Sequence, residues 1–118
     1  MNALKVLSLF LVLSLGMVSC SKDDTAPVIT ITSPVEGSIL LKGSTYPIVG
    51  TVTDDEELVE IDAGGIKITT FDSKTSHVLA NINLPISATA PTGGGTFTVT
   101  ATDKEGNKST KTVTFTIQ

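Results

Sequence analysis

Two segments near the C-terminus alternate apolar and polar residues. In Thr96–Thr102 every second residue from Phe97 is apolar, and Ser109–Gln118 repeats the pattern from Val113. Successive side chains of a β-strand point to opposite faces, so a period of two predicts strands with one buried face and one solvated face. The intervening Asp103–Asn107 is predicted to be the turn that joins them.

The chain from residue 27 onward divides into further short apolar segments separated by turn residues. The predicted strands are Pro27–Ser33, Tyr46–Thr53, Leu58–Ala63, Ile66–Phe71 and Val78–Ser87, and Ser38–Leu41 is predicted to continue the first, edge strand. Short strands with turn signals about every 8–12 residues are typical of a β-sandwich. The sequence therefore predicts an all-β sandwich of about seven antiparallel strands.

Glycines and side-chain alternation predict finer features of this sandwich. The pair Gly64–Gly65 is predicted to form a two-residue hairpin, because glycine accepts the positive φ that such turns require. In Leu58–Ala63, alternation predicts that Val59, Ile61 and Ala63 share the apolar face, toward the core, and that Glu60 and Asp62 lie on the other. Pro91–Gly95, which contains three consecutive glycines, is predicted to be a flexible loop.

The first 19 residues carry a different pattern. Lys5 precedes an apolar run, Val6–Val18, and the small residue Ser19 follows it, as expected for a secretory signal peptide. A transmembrane helix is the alternative. Leu4–Val18 would span about 22 Å at ~1.5 Å per residue, which is short of the ~30 Å hydrocarbon core of a bilayer. The length therefore favours a signal peptide over residues 1–19.

The residues before the chain's single cysteine favour one kind of signal. Met17-Val18-Ser19-Cys20 resembles a bacterial lipobox, although leucine is usual at the Met17 position. The resemblance implies that Cys20 receives a diacylglyceryl group, that the leader is cut before it, and that the lipid anchors the protein to a membrane. The alternative is an ordinary signal peptide that is discarded together with Cys20.

The polar residues after the cysteine indicate a destination. Ser21–Asp24 resembles the acidic export signal of surface lipoproteins of the Bacteroidetes type, and serine at its first position fits outer-membrane sorting. We therefore expect a lipid-anchored, surface-exposed protein of the outer membrane, with a solvated tether as the alternative interpretation. Asp24–Ala26 also fits the O-glycosylation acceptor pattern of the same bacteria, with Thr25 as the acceptor.

Composition limits the partners of the exported part. After residue 19 the chain keeps seven lysines against twelve acidic residues, a net charge of −5, which disfavours nucleic acid and anionic lipid surfaces as partners. Its nineteen threonines, together with many valines and isoleucines, favour strands. A chain of this length forms one domain. We place the domain at residues 27–118, after a polar tether at residues 20–26.

With the strands in place, residues 25–118 resemble bacterial Ig-like and cadherin-like domains. The resemblance rests on Ala26–Ile29, the Ser33–Gly37 turn, Gly50–Asp54, and Thr98–Asn107 with its Ala101, Asp103, Gly106 and Asn107. Such segments recur in Ig-like modules of cell-surface proteins and in small lipoproteins. The resemblance implies an Ig-like β-sandwich, without the Cys…Trp…Cys pattern of antibody domains.

In such a sandwich three acidic segments share one end: the N-terminal segment, the loop after the second main strand, and the last turn. This end would gather Asp23 and Asp24, then Asp54–Glu57, and then Asp103, Glu105 and Asn107. The predicted ligands among them are Asp54, Asp55, Asp103 and Asn107. Carboxylate and amide oxygens are the ligands that Ca²⁺ prefers, and cadherin-like domains bind Ca²⁺ with acidic residues in these places. The resemblance thus implies a calcium site, although cadherin sites lie between two domains. Solvated acidic loops are the alternative, and no other cofactor is expected.

The sequence shows no catalytic constellation. His77 is the only histidine and is predicted to be an exposed loop residue, and no nucleophile-elbow pattern surrounds any serine. Tyr46 and Phe71 are predicted to serve the core rather than a sugar-stacking platform. We expect a non-catalytic structural, adhesion or accessory binding module whose partner is a surface protein or a glycan. A Ca²⁺-dependent interaction domain and a carbohydrate-capture protein are the alternatives.

Overall fold

The computed structural model describes residues 25–118, so the predicted signal peptide and Cys20 lie outside the described residues. Residues 25–118 form eight strands: β1 (Val28–Ser33), β2 (Ser38–Leu40), β3 (Thr45–Thr53), β4 (Leu58–Ala63), β5 (Ile66–Ile68), β6 (Ser76–Pro85), β7 (Gly93–Asp103) and β8 (Lys108–Ile117). No helix in this part of the chain is long and apolar enough to cross a membrane.

The strands of residues 25–118 form two packed sheets. One has three strands in the order β1-β3-β6, and the other has five strands in the order β2-β8-β7-β4-β5. Neighbouring strands are antiparallel, except that β2 runs parallel to β8. This arrangement confirms the predicted all-β, Ig-like β-sandwich.

The core lies between the two sheets and follows the alternation of the strands. β3 buries Ile48 and Val52, and β7 buries Val99 and Ala101, each with 1% of its surface exposed or less. Val49 and Thr51 of β3 and Thr98 of β7 alternate with buried positions and are exposed, whereas Gly50, between Ile48 and Val52, is buried as well. Burying one large aliphatic side chain contributes about 1.5–3 kcal/mol, so this apolar layer is the main source of the sandwich's stability.

The position of β2 corrects one prediction. Ser38–Leu40 does not continue β1 at the edge of its own sheet, but lies in the other sheet, parallel to β8. The turn before it carries the chain across, where the Gly37 N–H donates a hydrogen bond to the Thr114 carbonyl at 2.7 Å. Alternation identifies a strand, but the sheet that it joins depends on partners distant in sequence.

The three glycines at 93–95 begin β7 and do not form the predicted flexible loop. They pair with Phe115–Ile117 of β8. The Phe115 ring lies so close to Gly95 that a β-carbon there would collide with it. The ring of the neighbouring strand therefore occupies the space that a side chain would take, and glycine is compatible with a strand at this position.

A shift in register at the start of β4 reverses the faces that strict alternation assigns to Leu58 and Val59. The pairing of β4 with β7 shifts between Leu58 and Glu60. Leu58 is buried, whereas Val59 is 42% exposed. The prediction that Val59 faces the core is therefore wrong, because strict alternation takes no account of a bulge. The Gly64–Gly65 hairpin follows as predicted, with φ values of 60° and 94°.

A second register shift lies in β6. The strand begins at Ser76 rather than at the predicted Val78. Its pairing with β3 shifts near Asn81, which takes a φ of 58°. One extra residue at this bulge allows Leu79 and Ile82, which are three positions apart, both to be buried. β5 is also shorter than predicted and ends at Ile68.

Candidate functional site

Two of the three acidic segments that the resemblance places together do meet at one end of the sandwich, and Asp23 and Asp24 of the third lie outside the described residues. The Lys104 N–H donates a hydrogen bond to the Glu57 carbonyl at 2.8 Å, and the Lys104 ammonium lies 3.8 Å from the Glu57 carboxylate. The Ser109 hydroxyl at the start of β8 donates to the Pro27 carbonyl. Pro27, the 54–57 loop and the 103–107 turn therefore lie at one end of the sandwich, which we call the acidic end.

Asp54 organises the loop between β3 and β4. Its Oδ2 accepts hydrogen bonds from the Glu56 and Glu57 N–H groups at 3.1 and 3.0 Å, and its own N–H donates to the Thr75 carbonyl at 2.8 Å. The residue is only 9% exposed, and its buried Oδ1 has no hydrogen-bond partner within the protein. A buried carboxylate oxygen of this kind is uncommon and suits a bound water or ion.

Asp103 is 1% exposed and organises the last turn. Its Oδ1 accepts a hydrogen bond from the Asn107 N–H at 2.8 Å, and its Oδ2 accepts one from the Asn107 side-chain amide at 3.0 Å. Burial raises the pKa of Asp103, but the bonds from Asn107 and from the Glu105 and Gly106 N–H groups outweigh it, so the pKa lies below its ordinary value. Both oxygens of Asp103 thus serve the turn.

The predicted calcium ligands differ in how deeply they are buried. Asp54 and Asp103 are buried at the acidic end, and Asp55 is exposed. Among residues 25–118, no three His, Cys, Asp or Glu side chains lie close enough together to hold a metal ion. The calcium site stays a prediction, and the unpartnered Asp54 Oδ1 is its best structural support. Thr25 is exposed, and its glycosylation and the lipidation of Cys20 also stay predictions.

A cleft that sequence reasoning missed opens beside the acidic end. We call it the β4 cleft. It has a volume of about 440 Å³, within the ~300–1,000 Å³ that ligand pockets occupy. One wall is Glu57–Val59, and the other is formed by Thr69, Phe71, Ser73 and Lys74. The Leu58 N–H donates to the Lys74 carbonyl at 2.8 Å, so a backbone hydrogen bond holds the two walls together.

The β4 cleft combines apolar surface with polar groups. Phe71 packs partly against the core and meets the His77 ring edge-on, with ring centroids 5.7 Å apart and an interplanar angle of 73°. Val59 adds exposed aliphatic surface, while Glu57 and Lys74 supply a carboxylate and an ammonium group. The cleft therefore offers apolar surface on which a ring can pack, beside charged groups that can exchange hydrogen bonds. An aromatic residue in a polar segment is the only sequence signal for it, since the two walls are distant in the chain.

His77 is not the exposed loop residue that the sequence predicts. It lies in β6, and its side chain is 16% exposed because the Phe71 ring packs against it. Its Nδ1 accepts a hydrogen bond from the Asp72 N–H at 3.3 Å. The nearby Ser73 hydroxyl accepts the Ser76 N–H at 3.0 Å. These polar groups therefore close the turn before β6.

Tyr46 and Phe71 both pack against the core, as predicted. The Tyr46 hydroxyl accepts a hydrogen bond from the Leu41 N–H at 2.8 Å, near the start of β3. Phe71 contacts His77, which pairs with Val52 near the end of β3. Six residues of strand separate the two positions, about 20 Å at ~3.3 Å per residue. They do not form a shared stacking platform.

No protein-family model matches the chain, and no curated protein matches it in sequence. Solved structures do match its fold. The fibronectin(III)-like modules of CbhA from Clostridium thermocellum are similar, with a TM-score of 0.53 and 18% identity over 77% of this chain and 46% of that chain. The endo-β-1,4-mannanase from Thermotoga petrophila is similar with a TM-score of 0.52 and 12% identity, over 84% of this chain and 21% of that chain.

A third match is SGBP-B of the mixed-linkage glucan utilization locus of Bacteroides ovatus, in complex with a mixed-linkage heptasaccharide. It is 18% identical over 70% of this chain and 21% of that chain, but its TM-score of 0.28 carries no argument. This chain spans less than half the length of each of these structures. At such low identity, the first two matches show the fold: an Ig-like, fibronectin(III)-like β-sandwich.

Proposed function

We propose that this chain is a lipid-anchored outer-membrane protein whose sandwich acts as a non-catalytic binding module at the cell surface. The lipobox-like residues that end at Cys20 support the anchor. Seven residues, 20–26, precede Pro27, and they span at most about 25 Å when extended. Because Pro27 lies at the acidic end, that end would be the one nearer the membrane.

The β4 cleft is the observation that supports a binding role most directly. We propose a neutral glycan as its ligand. The apolar faces of sugar rings would pack on Val59 and Phe71, while hydroxyl groups would exchange hydrogen bonds with Glu57, Thr69 and Lys74. The net charge of −5 for the exported part disfavours an anionic ligand. A surface protein is the alternative partner of the same cleft.

A glycan array probed with the protein tests the proposal. We expect binding to a neutral glycan, and Lys74→Ala should weaken it about tenfold, the equivalent of one hydrogen bond to a charged group. Lys111→Ala, which removes an exposed lysine of β8, is the matched control and should bind normally. An array without binding, or equal binding by all three proteins, would overturn the glycan as ligand of the cleft.

The anchor is tested separately by mass spectrometry of the protein from the membrane fraction. The expected species begins at Cys20 and carries the diacylglyceryl mass. A mature chain that begins elsewhere, or that lacks the lipid, would contradict the anchor without affecting the cleft.

Calcium-dependent interaction is the second candidate, and the buried Asp54 Oδ1 favours it. This oxygen has no partner within the protein, and carboxylate oxygens are ligands that Ca²⁺ prefers. The Thr75 and Glu57 backbones adjoin the same loop. A cation at this position would link the loop to its neighbours and stiffen the acidic end.

A further inference from the structure

The three-stranded sheet has no charged residue in its strands, and the Asp72 carboxylate lies at its edge, where it accepts a hydrogen bond from the Val78 N–H at 2.8 Å. None of the residues of β1, β3 and β6 is aspartate, glutamate, lysine or arginine. Strand pairing places Thr30, Thr51 and Val78 in one row across the sheet. The next row contains Val28, Thr53 and Ser76. We call the surface formed by these two rows and Val49 the uncharged face.

The uncharged face exposes three valine side chains. Val28, Val49 and Val78 are 59%, 41% and 54% exposed, and threonine methyl groups lie between them. The strands of the five-stranded sheet also expose apolar side chains, namely Ile39, Val59 and Ile66. That sheet differs in its charge, because it carries Glu60 and Lys67, whose charged groups lie 3.8 Å apart. Contiguous apolar surface with a polar surround is typical of an interaction site.

We propose that the uncharged face is where two copies of this chain pack against each other. Residues 25–118 contain ten acidic residues and six lysines, so two copies repel each other wherever their charged surfaces meet. Packing through the uncharged face keeps the like charges at the periphery. The contact is self-complementary, since a two-fold axis between the faces and parallel to the strands brings β3 of one copy opposite β3 of the other.

The size of the face indicates where this association occurs. Three strands about 4.8 Å apart and the five residues of β3 from Val49 to Thr53 give a footprint of roughly 250 Å² per copy. Two such footprints place the contact among weak, transient complexes. Association therefore requires a high effective concentration, and confinement to a membrane supplies it. In this respect the inference rests on the proposed lipid anchor, which would hold both copies upright in the same plane.

Cross-linking of the full chain in intact cell envelopes tests the inference. Thr51→Cys places a thiol in the centre of the uncharged face, and Thr112→Cys places one on an exposed position of β8 in the other sheet. Sheets pack about 10 Å apart, so a short bis-maleimide can join the two introduced thiols across the two-fold axis. We expect a species of twice the monomer mass from Thr51→Cys and none from Thr112→Cys.

A third variant tests whether the absence of charge is what allows the two faces to pack together. Thr51→Cys combined with Val49→Lys places a positive charge on each face and should abolish the cross-link, while the thiol stays accessible to a monofunctional maleimide. Equal cross-linking at positions 51 and 112, an accessible thiol at 51 without a dimer, or cross-linking to a species of another mass would overturn the inference. The parent chain is the blank for both reagents, and the mass of the protein from the same envelopes separates this failure from failure of the anchor, because only an anchored chain begins at Cys20 with the diacylglyceryl mass.

Discussion

The Glu36 carboxylate holds Thr114 by two hydrogen bonds. Its Oε2 accepts the Thr114 N–H and its Oε1 accepts the Thr114 hydroxyl, each at 2.6 Å. The adjacent Gly37 N–H donates to the Thr114 carbonyl at 2.7 Å. These bonds fix the place where the chain leaves the sheet of β1 and joins β8, and hydrogen bonds to a charged acceptor are stronger than neutral ones.

Replacing Glu36 by glutamine should therefore destabilise the sandwich. Glutamine keeps one acceptor oxygen but loses the charge and the second acceptor. We expect the melting temperature of Glu36→Gln to fall by a few degrees, measured by circular dichroism at neutral pH. Glu105→Gln, which changes an exposed residue of the last turn, is the control and should melt like the parent. A fall of the same size in both variants would contradict a specific role for Glu36.

The contribution of Glu36 should also depend on pH. Hydrogen bonds from the Thr114 hydroxyl and N–H lower the pKa of Glu36, and the Lys111 charge adds to them. The pKa is thus lower in the folded than in the unfolded chain, so its contribution is complete above the unfolded pKa and is lost as the pH falls through the folded one. The difference in melting temperature between the parent and Glu36→Gln should shrink below about pH 4. A difference that stays constant from pH 7 to 2 would contradict this.

The sequence predicts the sandwich well where local pattern and tertiary structure agree. Alternation in β7 identifies Phe97 and Val99 as core residues, and both are buried. It fails at Val59, because a bulge shifts the face of β4. The sequence around Gly95 also fails to predict a strand. Glycine suits a strand there because the Phe115 ring of β8 occupies the space that a side chain would take. The apolar and polar pattern within one strand contains no information about the neighbouring strand, whether that strand is β7 beside Val59 or β8 beside Gly95.

The candidate site, like the fold, could be predicted only in part from the sequence. Turn chemistry and the topology of the resembling family predict that Asp54 and Asp103 lie at one end, and the contact between Lys104 and Glu57 shows that their segments meet. The β4 cleft could not be predicted, because its walls come from segments that the Leu58–Lys74 hydrogen bond brings together. Loop contacts of this kind depend on the assembled fold.

The fit of Phe115 against Gly95 predicts the effect of adding one methyl group. Gly95→Ala places a β-carbon where the ring lies, and overpacking of this kind costs about 1–3 kcal/mol. Gly94→Ala is a close control, because nothing lies within 4 Å of a β-carbon there. Its effect should be neutral or stabilising by about 0.4–1 kcal/mol. Urea unfolding of both variants measures the difference, and equal stability of the two would show that the ring moves aside freely.

The unpartnered oxygen of Asp54 allows a sharp test of calcium binding. A ligand that binds only the folded state raises the melting temperature with its concentration, and extracellular Ca²⁺ modules bind at about 10⁻⁴–10⁻³ M. Millimolar Ca²⁺ should therefore raise the melting temperature of the parent. Asp54→Asn should lose this response, since asparagine can still accept the Glu57 N–H bond but carries no charge to attract the cation. Glu60→Gln, which removes a charge from β4, should keep the response. If the parent shows no shift at millimolar Ca²⁺, the Asp54 oxygen instead binds water, and the acidic end serves only to close its turns.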